Sequence, residues 1–459
     1  MASTYIQRVD SANGNRKVWT WSAWVKRDVL GSVDHNMFSM GEASADEGQF
    51  KFSSDQLSFF NDYASSGRVS ASQPSRKFRD VNGWYHFVWR HKSDESTASD
   101  RWKIYINGER LDPSDYGNPS IPNEDGCYNK WENKDMWFGA RAKAQNDNSY
   151  QYFSGLMSHI HFCDGYAYDA SDFGSIDNVT GEWSINTSPN VQYGSKGFFI
   201  LKDGNSVTDQ SGNGNNCTVG GGTLTKTEDN PSNVFCTLNR NIVQAGGVSG
   251  RHANVSASLD NGNTTGGEGS GVFSNQLGTI FASSGKYYAE CKFGGDQYCH
   301  FGVTSPNFSD ASLGSYPGNG ISGVNSAGIY GNGGIARCNG ATIFTDSNIT
   351  TDTICLAMDL DNGALYIRRN DGSWMNSGNP ESGATKTGAI TLPSDTYSWI
   401  VTSHNNSGSG RNYMKVNFGN GYFGSTQISS AGTNASNNGI FEYDVPTGYT
   451  ALSTKGLNL

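Results

Sequence analysis

One short segment brings two carboxylates close enough in sequence for acid–base chemistry. Retaining hydrolysis of a glycosidic bond needs two carboxyl groups about 5 Å apart, and Glu-x-Asp-x-x-Glu on one strand supplies such a pair. The nearest match begins with Glu442 and Asp444, but its third position is Thr447, which cannot act as a general acid or base. Pro446 also disfavours a central strand. We therefore predict no catalytic residues, and a protein that is not an enzyme.

A second group of residues could bind a metal ion if its members shared one face of a strand. His159, His161 and Cys163 are spaced two apart, and alternate residues of a strand point to the same side of a sheet. A structural transition-metal site takes four ligands, and the sequence suggests no fourth ligand nearby. Partly buried polar side chains are the simpler interpretation, so we predict no metal site and no cofactor.

Oxygen-bearing side chains are concentrated in one turn-rich segment. Asp203, Asp209, Asn213 and Asn215 offer the ligand atoms that Ca²⁺ accepts, together with backbone carbonyls. Asx-turns, in which these side chains bond to the nearby backbone, explain the same residues without a metal ion. Both interpretations stay open at this point.

A glycine pattern and a few aromatic residues suggest other ligands. Residues 318–323 match Gly-x-Gly-x-x-Gly, but a dinucleotide site needs a strand before this pattern and a helix after it, so we predict a plain loop. Trp131, Tyr150 and Trp374 lie in polar surroundings and could stack on sugar rings. With 11 Trp and 22 Tyr in the chain, most aromatic residues must form core, so the ligand-binding residues stay unassigned.

Short strands must position these residues. The segment 18–26 alternates so that Trp19, Trp21, Ala23 and Val25 share one face. Comparable strand patterns recur at 83–90, 102–106, 136–139, 152–162, 285–291, 299–303, 353–360 and 364–369. Asn107-Gly108 joins two of them and is a strong hairpin signal. Helical periodicity is hard to find, so we predict an all-β protein of two tandem β-sandwich domains.

Composition excludes several classes of protein. At 459 residues the chain is long enough for two domains. The net charge of −10, without a basic cluster, argues against nucleic-acid binding. No apolar run is long enough for membrane insertion, and the first residues lack the apolar segment of a secretory signal. The eight cysteines show no Cys-x-x-Cys spacing, which predicts free buried thiols in a protein made in a reducing cytoplasm.

The first third of the chain resembles a known family. A strand ending in Ala-Trp-Val-Lys at 23–26 precedes Gly-Trp-Tyr-His-Phe-Val at 83–88, then Ile-Tyr-Ile-Asn-Gly-Glu at 104–109 and Phe-Ser-Gly-Leu-Met-Ser-His-Ile at 153–160. This ordered set is similar to the laminin G-type, concanavalin A-like jelly roll. The resemblance implies such a domain over 1–195.

The remaining segments resemble parts of virion proteins of tailed phages. The stretch 198–219, with Asp-Gln-Ser-Gly-Asn-Gly-Asn at 209–215, is similar to one that follows a laminin G-like domain in those proteins, and 445–452 resembles their ending. The motifs between 279 and 425 are similar to the SPRY sandwich, with Gly-Lys-Tyr-Tyr-Ala-Glu at 285–290. These resemblances imply a connector at 196–275 and a SPRY-like domain at 276–459.

Together these features predict a non-enzymatic structural protein of a phage virion: a tail fibre, a knob or a head decoration. It would be made in the host cytoplasm and assembled into the virion. Its partners would be other virion proteins and host-surface polysaccharide, and it would form a homo-oligomer within the particle. A stand-alone carbohydrate-binding or adhesion module of a bacterium, or a glycoside hydrolase, are the alternatives.

Overall fold

The computed structural model describes residues 3–10, 14–42, 45–63, 65–125, 134–142, 150–202, 204–243, 264–266, 273–294, 299–308, 316–404, 413–424 and 426–458. The chain divides into two compact units, Met1–Lys226 and Thr227–Leu459. The all-β prediction is confirmed, because strands dominate the described residues. The helices among them are short 3-10 turns at Ala98–Asp100, Pro113–Tyr116, Ala170–Asp172, Asn332–Gly334, Met375–Ser377, Pro380–Thr385 and Gly456–Asn458.

The first unit is built from strands β1 to β15. Their bounds are β1 Tyr5–Asp10, β2 Val18–Arg27, β3 His35–Glu42, β4 Ala45–Ser53, β5 Gln56–Tyr63, β6 Gly67–Gln73, β7 Tyr85–Lys92, β8 Trp102–Ile106, β9 Glu109–Arg110, β10 Lys134–Phe138, β11 Gly155–Asp164, β12 Gly174–Ile176, β13 Trp183–Ile185, β14 Phe198–Ile200 and β15 Thr218–Gly220.

These strands form two main antiparallel sheets with one core between them. The seven-stranded sheet has the order β15-β1-β10-β3-β4-β5-β6, and the six-stranded sheet has the order β14-β11-β2-β7-β8-β9. Strands β12 and β13 pair separately as a small hairpin. Residues of both main sheets contribute to a single apolar cluster, which is the arrangement of a β-sandwich.

The second unit is built from strands β16 to β31. Their bounds are β16 Leu238–Val243, β17 Thr264–Gly266, β18 Phe273–Gly278, β19 Lys286–Lys292, β20 His300–Thr304, β21 Ser326–Tyr330, β22 Ile335–Cys338, β23 Ala341–Phe344, β24 Thr353–Asp359, β25 Ala364–Arg369, β26 Ile390–Thr391, β27 Ser398–His404, β28 Tyr413–Asn417, β29 Tyr422–Phe423, β30 Thr426–Gln427 and β31 Thr450–Ala451.

The second unit is also organised around two sheets and a shared apolar cluster. One sheet has the order β16-β18-β27-β20-β21-β22-β23, and the other has the order β17-β28-β19-β24-β25-β26. Strand β31 joins the second of these sheets by pairing in parallel with β19. Strands β29 and β30 form a separate antiparallel pair.

The alternation read from the sequence coincides with the cores. Trp19, Trp21, Ala23 and Val25 on β2 are all fully buried in the core of the first unit. The predicted hairpin turn is present as well, since Asn107 has φ +48° and Gly108 has φ +81°, the backbone geometry that Asn-Gly turns favour. The thiols that were predicted to be free and buried include those of Cys163, Cys217, Cys236, Cys291, Cys338 and Cys355.

Residues 196–275, predicted as a connector, contribute strands to both units. Strands β14 and β15 belong to the two main sheets of the first unit, whereas β16 and β17 belong to sheets of the second unit. The division between the units lies between Lys226 and Thr227. No helix in the described part of the chain has the length and apolarity required to cross a membrane.

Candidate ligand-binding site

Four aromatic side chains lie together on the outer face of the seven-stranded sheet of the first unit. We call Tyr5, Trp137, Tyr150 and Tyr152 the aromatic platform. Tyr5 stacks on Trp137 with ring centroids 4.0 Å apart and planes 9° apart. Tyr150 is nearly parallel to Trp137 at 6.2 Å, and Tyr152 contacts Tyr150 at 5.5 Å and Tyr5 at 6.4 Å. The three tyrosines are half-buried, so the platform is presented to solvent.

Strand alternation explains why two of these rings point away from the core. On β1 and β10, Ile6 and Phe138 pair with one another and pack into the core. Their neighbours Tyr5 and Trp137 therefore point to the opposite face. Gly220 on β15 faces Tyr5, and a Cβ atom at that position would come within 2.3 Å of the Tyr5 ring. The absence of a side chain at Gly220 thus makes room for the platform.

A segment that hydrogen-bonds to β3 and to the residues after β10 supplies the other two rings. The amide of Arg141 donates to the carbonyl of Tyr150 at 2.7 Å, and the amide of Phe153 donates to the carbonyl of Gly139 at 2.9 Å. The amide of Asn36 donates to the carbonyl of Gln151 at 2.9 Å. Backbone hydrogen bonds therefore fix Tyr150 and Tyr152 above the sheet before any ligand is present.

The hydroxyl groups of the platform tyrosines lie close to one another. Burial raises the pKa of Tyr5, and the nearby Tyr150 and Asp135 raise it further. Burial likewise raises the pKa of Tyr152, with contributions from Tyr150 and Tyr5. Within the described residues these three hydroxyls make no side-chain hydrogen bond, while the indole of Trp137 donates to Asp135 at 3.2 Å. Parallel rings with unengaged hydroxyls at their edge can stack on a sugar ring and hydrogen-bond to its hydroxyls.

A rigid ion-pair network borders the platform. The fully buried carboxylate of Glu47 accepts from Arg141 at 2.8 Å and lies 3.6 Å from Arg68. Arg68 also pairs with Asp62 at 2.8 Å. Arg141 is hydrogen-bonded through its backbone to Tyr150, so the network and the platform are held by the same segment. Within this network the two arginines balance the two carboxylates, so neither arginine is left without a counterion.

The carboxylates first considered for catalysis serve other contacts. Glu442 pairs with Lys292 at 2.7 Å, and Asp444 accepts from the amide of Thr433 at 2.6 Å. That hydrogen bond holds the pKa of Asp444 below its usual value. Neither residue lies in a strand, in contrast to the strand-borne carboxylates that the hydrolase pattern requires.

The histidines first considered as metal ligands are buried among aromatic rings. A bulge between Ser158 and His161 interrupts the alternation, and the rings of His159 and His161 both contact Phe199, at 5.6 and 4.0 Å. Burial lowers the pKa of His161 well below its usual value. Cys163 packs in a small apolar cluster. In the described ranges, no three His, Cys, Asp or Glu side chains are grouped so as to hold a metal ion.

The oxygen-rich segment forms a hydrogen-bonded loop. Asp209 accepts from the amides of Phe199, Ser211 and Asn215 and from the Ser211 hydroxyl, at 2.8–3.0 Å. Asn213 and Asn215 both donate to the carbonyl of Gly197. This is the arrangement that the Asx-turn interpretation predicts. Asp203, the other residue considered for calcium, lies outside the described residues.

The glycine pattern and the three aromatic residues considered from the sequence do not form one site. Residues 318–323 form a loop that leads to β21, a strand where dinucleotide binding would need a helix. Trp374 packs edge-on against Tyr366 and lies beneath the guanidinium of Arg368 at 5.0 Å. Trp131 falls outside the described residues. Of the three aromatic residues proposed from sequence, only Tyr150 lies in the platform.

Sequence reasoning missed Tyr5, Trp137 and Tyr152. A signal for Trp137 was present, because the apolar residues Met136 and Phe138 flank it in one strand. Residues two apart in a strand share a face, so these two face the core together. That alternation leaves the intervening indole on the outer face. Nothing local indicates that Tyr5 and Tyr152 meet it there, since the three residues are brought together only by the pairing of distant strands.

Several solved structures show a low similarity to this chain. The SPRY domain of human HERC1 is 16% identical, covers 34% of this chain and 89% of its own, and has a TM-score of 0.27. Domains LG4-5 of mouse laminin alpha1 are 9% identical, with a TM-score of 0.28, and the match covers 90% of this chain and 86% of theirs. A heptameric SAP-like pentraxin from Limulus polyphemus is 15% identical, with a TM-score of 0.29, and the match covers 48% of this chain and 90% of the pentraxin chain. No curated protein matches the sequence.

One family model matches the first unit. Residues 2–168 fit the model of the concanavalin A-like lectin/glucanases superfamily, laminin G type. The matched range includes both main sheets of the first unit up to β11 and all four rings of the aromatic platform. This part of the chain therefore has a concanavalin A-like, laminin G-type fold, which is compatible with carbohydrate binding or adhesion.

Proposed function

We propose that this chain is a non-enzymatic carbohydrate-binding protein of a tailed-phage virion, where it contacts polysaccharide on the host surface. The aromatic platform carries the binding part of the proposal. Its near-parallel rings are held by backbone hydrogen bonds and by Gly220, so little order has to be created when a sugar binds. Preorganised sites lose less affinity to the entropy of ordering.

The virion setting is supported by sequence resemblance. The segments 198–219 and 445–452 are similar to parts of tailed-phage virion proteins, and the tandem order of the two sandwiches is the order found there. Single contacts between a protein and a sugar are weak, and many copies on one particle raise the avidity by about 10²–10⁴. A tail fibre, a knob or a head decoration would each supply such copies.

The platform makes a direct prediction for binding. We expect Tyr150→Ala and Tyr152→Ala each to weaken binding about five- to thirtyfold, equivalent to roughly 1–2 kcal/mol, as for aromatic contacts at other interfaces. Screening on an array of neutral and acidic oligosaccharides, followed by isothermal titration calorimetry with the best binder, measures the change. Tyr150→Phe and Tyr152→Phe separate the loss of the ring from the loss of the hydroxyl.

Tyr166 provides the matched control, because it is a tyrosine of the first unit that is 40% exposed and that stacks, among the described residues, on Tyr168 alone. Tyr166→Ala should bind as the wild type does. Unchanged affinity of both platform variants, with the fold intact by circular dichroism, would remove the platform from the site.

Multivalency provides a separate prediction. Beads carrying many copies of the protein, or particles that contain it, should bind host cells at least a hundredfold more tightly than the isolated chain. Mass spectrometry of purified particles should detect the protein. Its absence from the particles would contradict the virion setting and favour a bacterial adhesion module, whereas tight binding by the isolated chain would contradict the need for display.

A further inference from the structure

The second unit carries its own aromatic stack on the outer face of a seven-stranded sheet. His300 is buried and lies between two tyrosines. Its ring centroid is 4.2 Å from that of Tyr316 with planes 23° apart, and 4.6 Å from that of Tyr330 with planes 17° apart. Both tyrosines are half-exposed. The stack therefore presents two aromatic rings to solvent on a rigid sheet.

Local sequence explains how the stack forms. On β20 and β21, Phe301 and Ile329 enter the core, so their paired neighbours His300 and Tyr330 point outward. The next outward pair is Gly302 and Gly328. Because this pair has no side chains, the loop at 316–318 can lie on the sheet, and a Cβ atom on Gly328 would be only 3.1 Å from Cβ of Pro317. That loop places the Tyr316 ring against His300.

A cation stands beside this stack. Arg337 lies on the neighbouring strand β22, where it pairs with Gly328 of β21, and its side chain is half-buried. Its Nη1 donates to the hydroxyl of Tyr316 at 2.7 Å. No carboxylate of the described residues forms an ion pair with Arg337, and its buried Nε has no partner among them. By contrast, Arg368 and Arg369 of the same unit lie within ion-pair distance of Asp371 and Asp352.

A guanidinium that is partly removed from water, and that has no carboxylate partner among the described residues, lacks the ion pair that usually offsets its desolvation. A planar carboxylate, or two oxygens of a tetrahedral sulfate group, can supply this interaction by accepting two hydrogen bonds from the guanidinium. The neighbouring rings can stack on the sugar that carries this group. The formal net charge of −10 repels anions at long range, so attraction to such a ligand has to come from Arg337 itself.

We propose that the second unit contains a second saccharide site, specific for acidic sugars such as uronates or sulfated sugars, in which Tyr316 and Tyr330 contact the ring and Arg337 binds the anionic group. The site deepens the proposed function and rests on it. One chain then carries two unlike sites: the aromatic platform, whose neighbouring arginines Arg68 and Arg141 are paired with carboxylates, and this stack with Arg337 beside it.

The test uses the full-length chain and oligosaccharides in matched pairs: hexuronate, sialylated and sulfated members, each with its neutral parent. We expect Arg337→Ala to weaken binding of at least one acidic member tenfold or more and to leave neutral members unaffected. Arg337→Lys, which keeps the charge without the planar fork, should lose part of the affinity. Tyr316→Phe keeps the stack but removes the hydroxyl that orients Arg337. Arg369→Ala is the control for a paired arginine at the surface.

The results separate this site from the platform. Acidic sugars that bind Tyr150→Ala normally but bind Arg337→Ala weakly support the second site. Binding of acidic sugars that is lost in Tyr150→Ala and unchanged in Arg337→Ala overturns the second site and leaves the proposed function standing. If no member of the array binds the wild type, both proposals fail.

Discussion

Replacing Glu290 with alanine is expected to lower the free energy of unfolding of the second unit by about 4 kcal/mol or more. Glu290 on β19 is fully buried, and its two carboxylate oxygens accept from four donors. The amides of Glu442 and Tyr443 donate at 2.8 Å, the Tyr288 hydroxyl at 3.2 Å and Asn417 Nδ2 at 3.3 Å. Without the carboxylate, these donors lose their acceptor, and each buried donor left unsatisfied costs about 1–3 kcal/mol.

Calorimetric unfolding of the full chain measures this effect. Glu290→Gln keeps the size of the side chain but turns one oxygen into an NH₂ group that faces donors, so it should also destabilise the unit. Glu442→Ala is the matched control, because it removes only a partly exposed pair with Lys292 and should cost less than about 1 kcal/mol. Equal stability of Glu290→Ala and Glu442→Ala would show that Glu290 does not anchor the segment at 442–443.

Acidification is expected to destabilise the first unit by about 4 kcal/mol or more between pH 7 and pH 5. Burial lowers the pKa of both His86 and His91 to about 3, whereas an unfolded histidine titrates near about 6.5. Between these values the unfolded state binds more protons, so stability falls as the pH falls, by about 2 kcal/mol per histidine over this range. The free energy of unfolding of a typical domain is only about 5–15 kcal/mol, so this loss is a large fraction of it.

The contacts of these histidines explain why protonation is unfavourable. His86 Nδ1 accepts from the indole of Trp183 at 3.0 Å, and its Nε2 lies 2.9 Å from the Ser22 hydroxyl. A proton on Nδ1 would turn that acceptor into a second donor. His91 lies 3.0 Å from the Tyr63 hydroxyl and stacks on Trp19 at 4.8 Å, and no carboxylate of the described residues forms an ion pair with its ring.

Tryptophan emission follows this transition, because every tryptophan except Trp374 and Trp399 belongs to the first unit. The second unit supplies an internal comparison of opposite sign. Burial raises the pKa of Glu290 to about 7, so its contribution to stability is complete below the unfolded pKa of about 4.3 and is lost as the pH rises towards 7. A first unit that is as stable at pH 5 as at pH 7 would contradict the histidine prediction.

Strand faces and turns were predictable because they depend on residues that are neighbours in sequence. The period of two that placed Trp19 and Trp21 together also brings them into the core, since each strand buries one face. The Asn107-Gly108 turn forms because both residues adopt positive φ. The same local rule also puts Trp137 on the outer face of its strand, but that prediction was not made from the sequence.

The ligand-binding candidates were not predictable in the same way. Tyr5 meets Trp137 because β1 pairs with β10, and Tyr150 joins them because its segment hydrogen-bonds to the residues that follow β10. In the second unit, Arg337 is a candidate ligand-binding residue because it lies beside Tyr316. Tyr316 is brought there by a loop that lies over two glycines. Aromatic residues of the platform and aromatic residues of the core have similar neighbours in the sequence, so composition could not distinguish the two groups.

The sequence by itself determined that this protein is all-β, which residues of each strand enter a core, and that clustered positive charge and a hydrolase carboxylate pattern are lacking. These features follow from local alternation and from residue type. Only the tertiary structure decided which outward side chains meet and that Glu290 anchors a distant segment. Such contacts join residues far apart in the chain, and their geometry depends on strand pairing that no local pattern specifies.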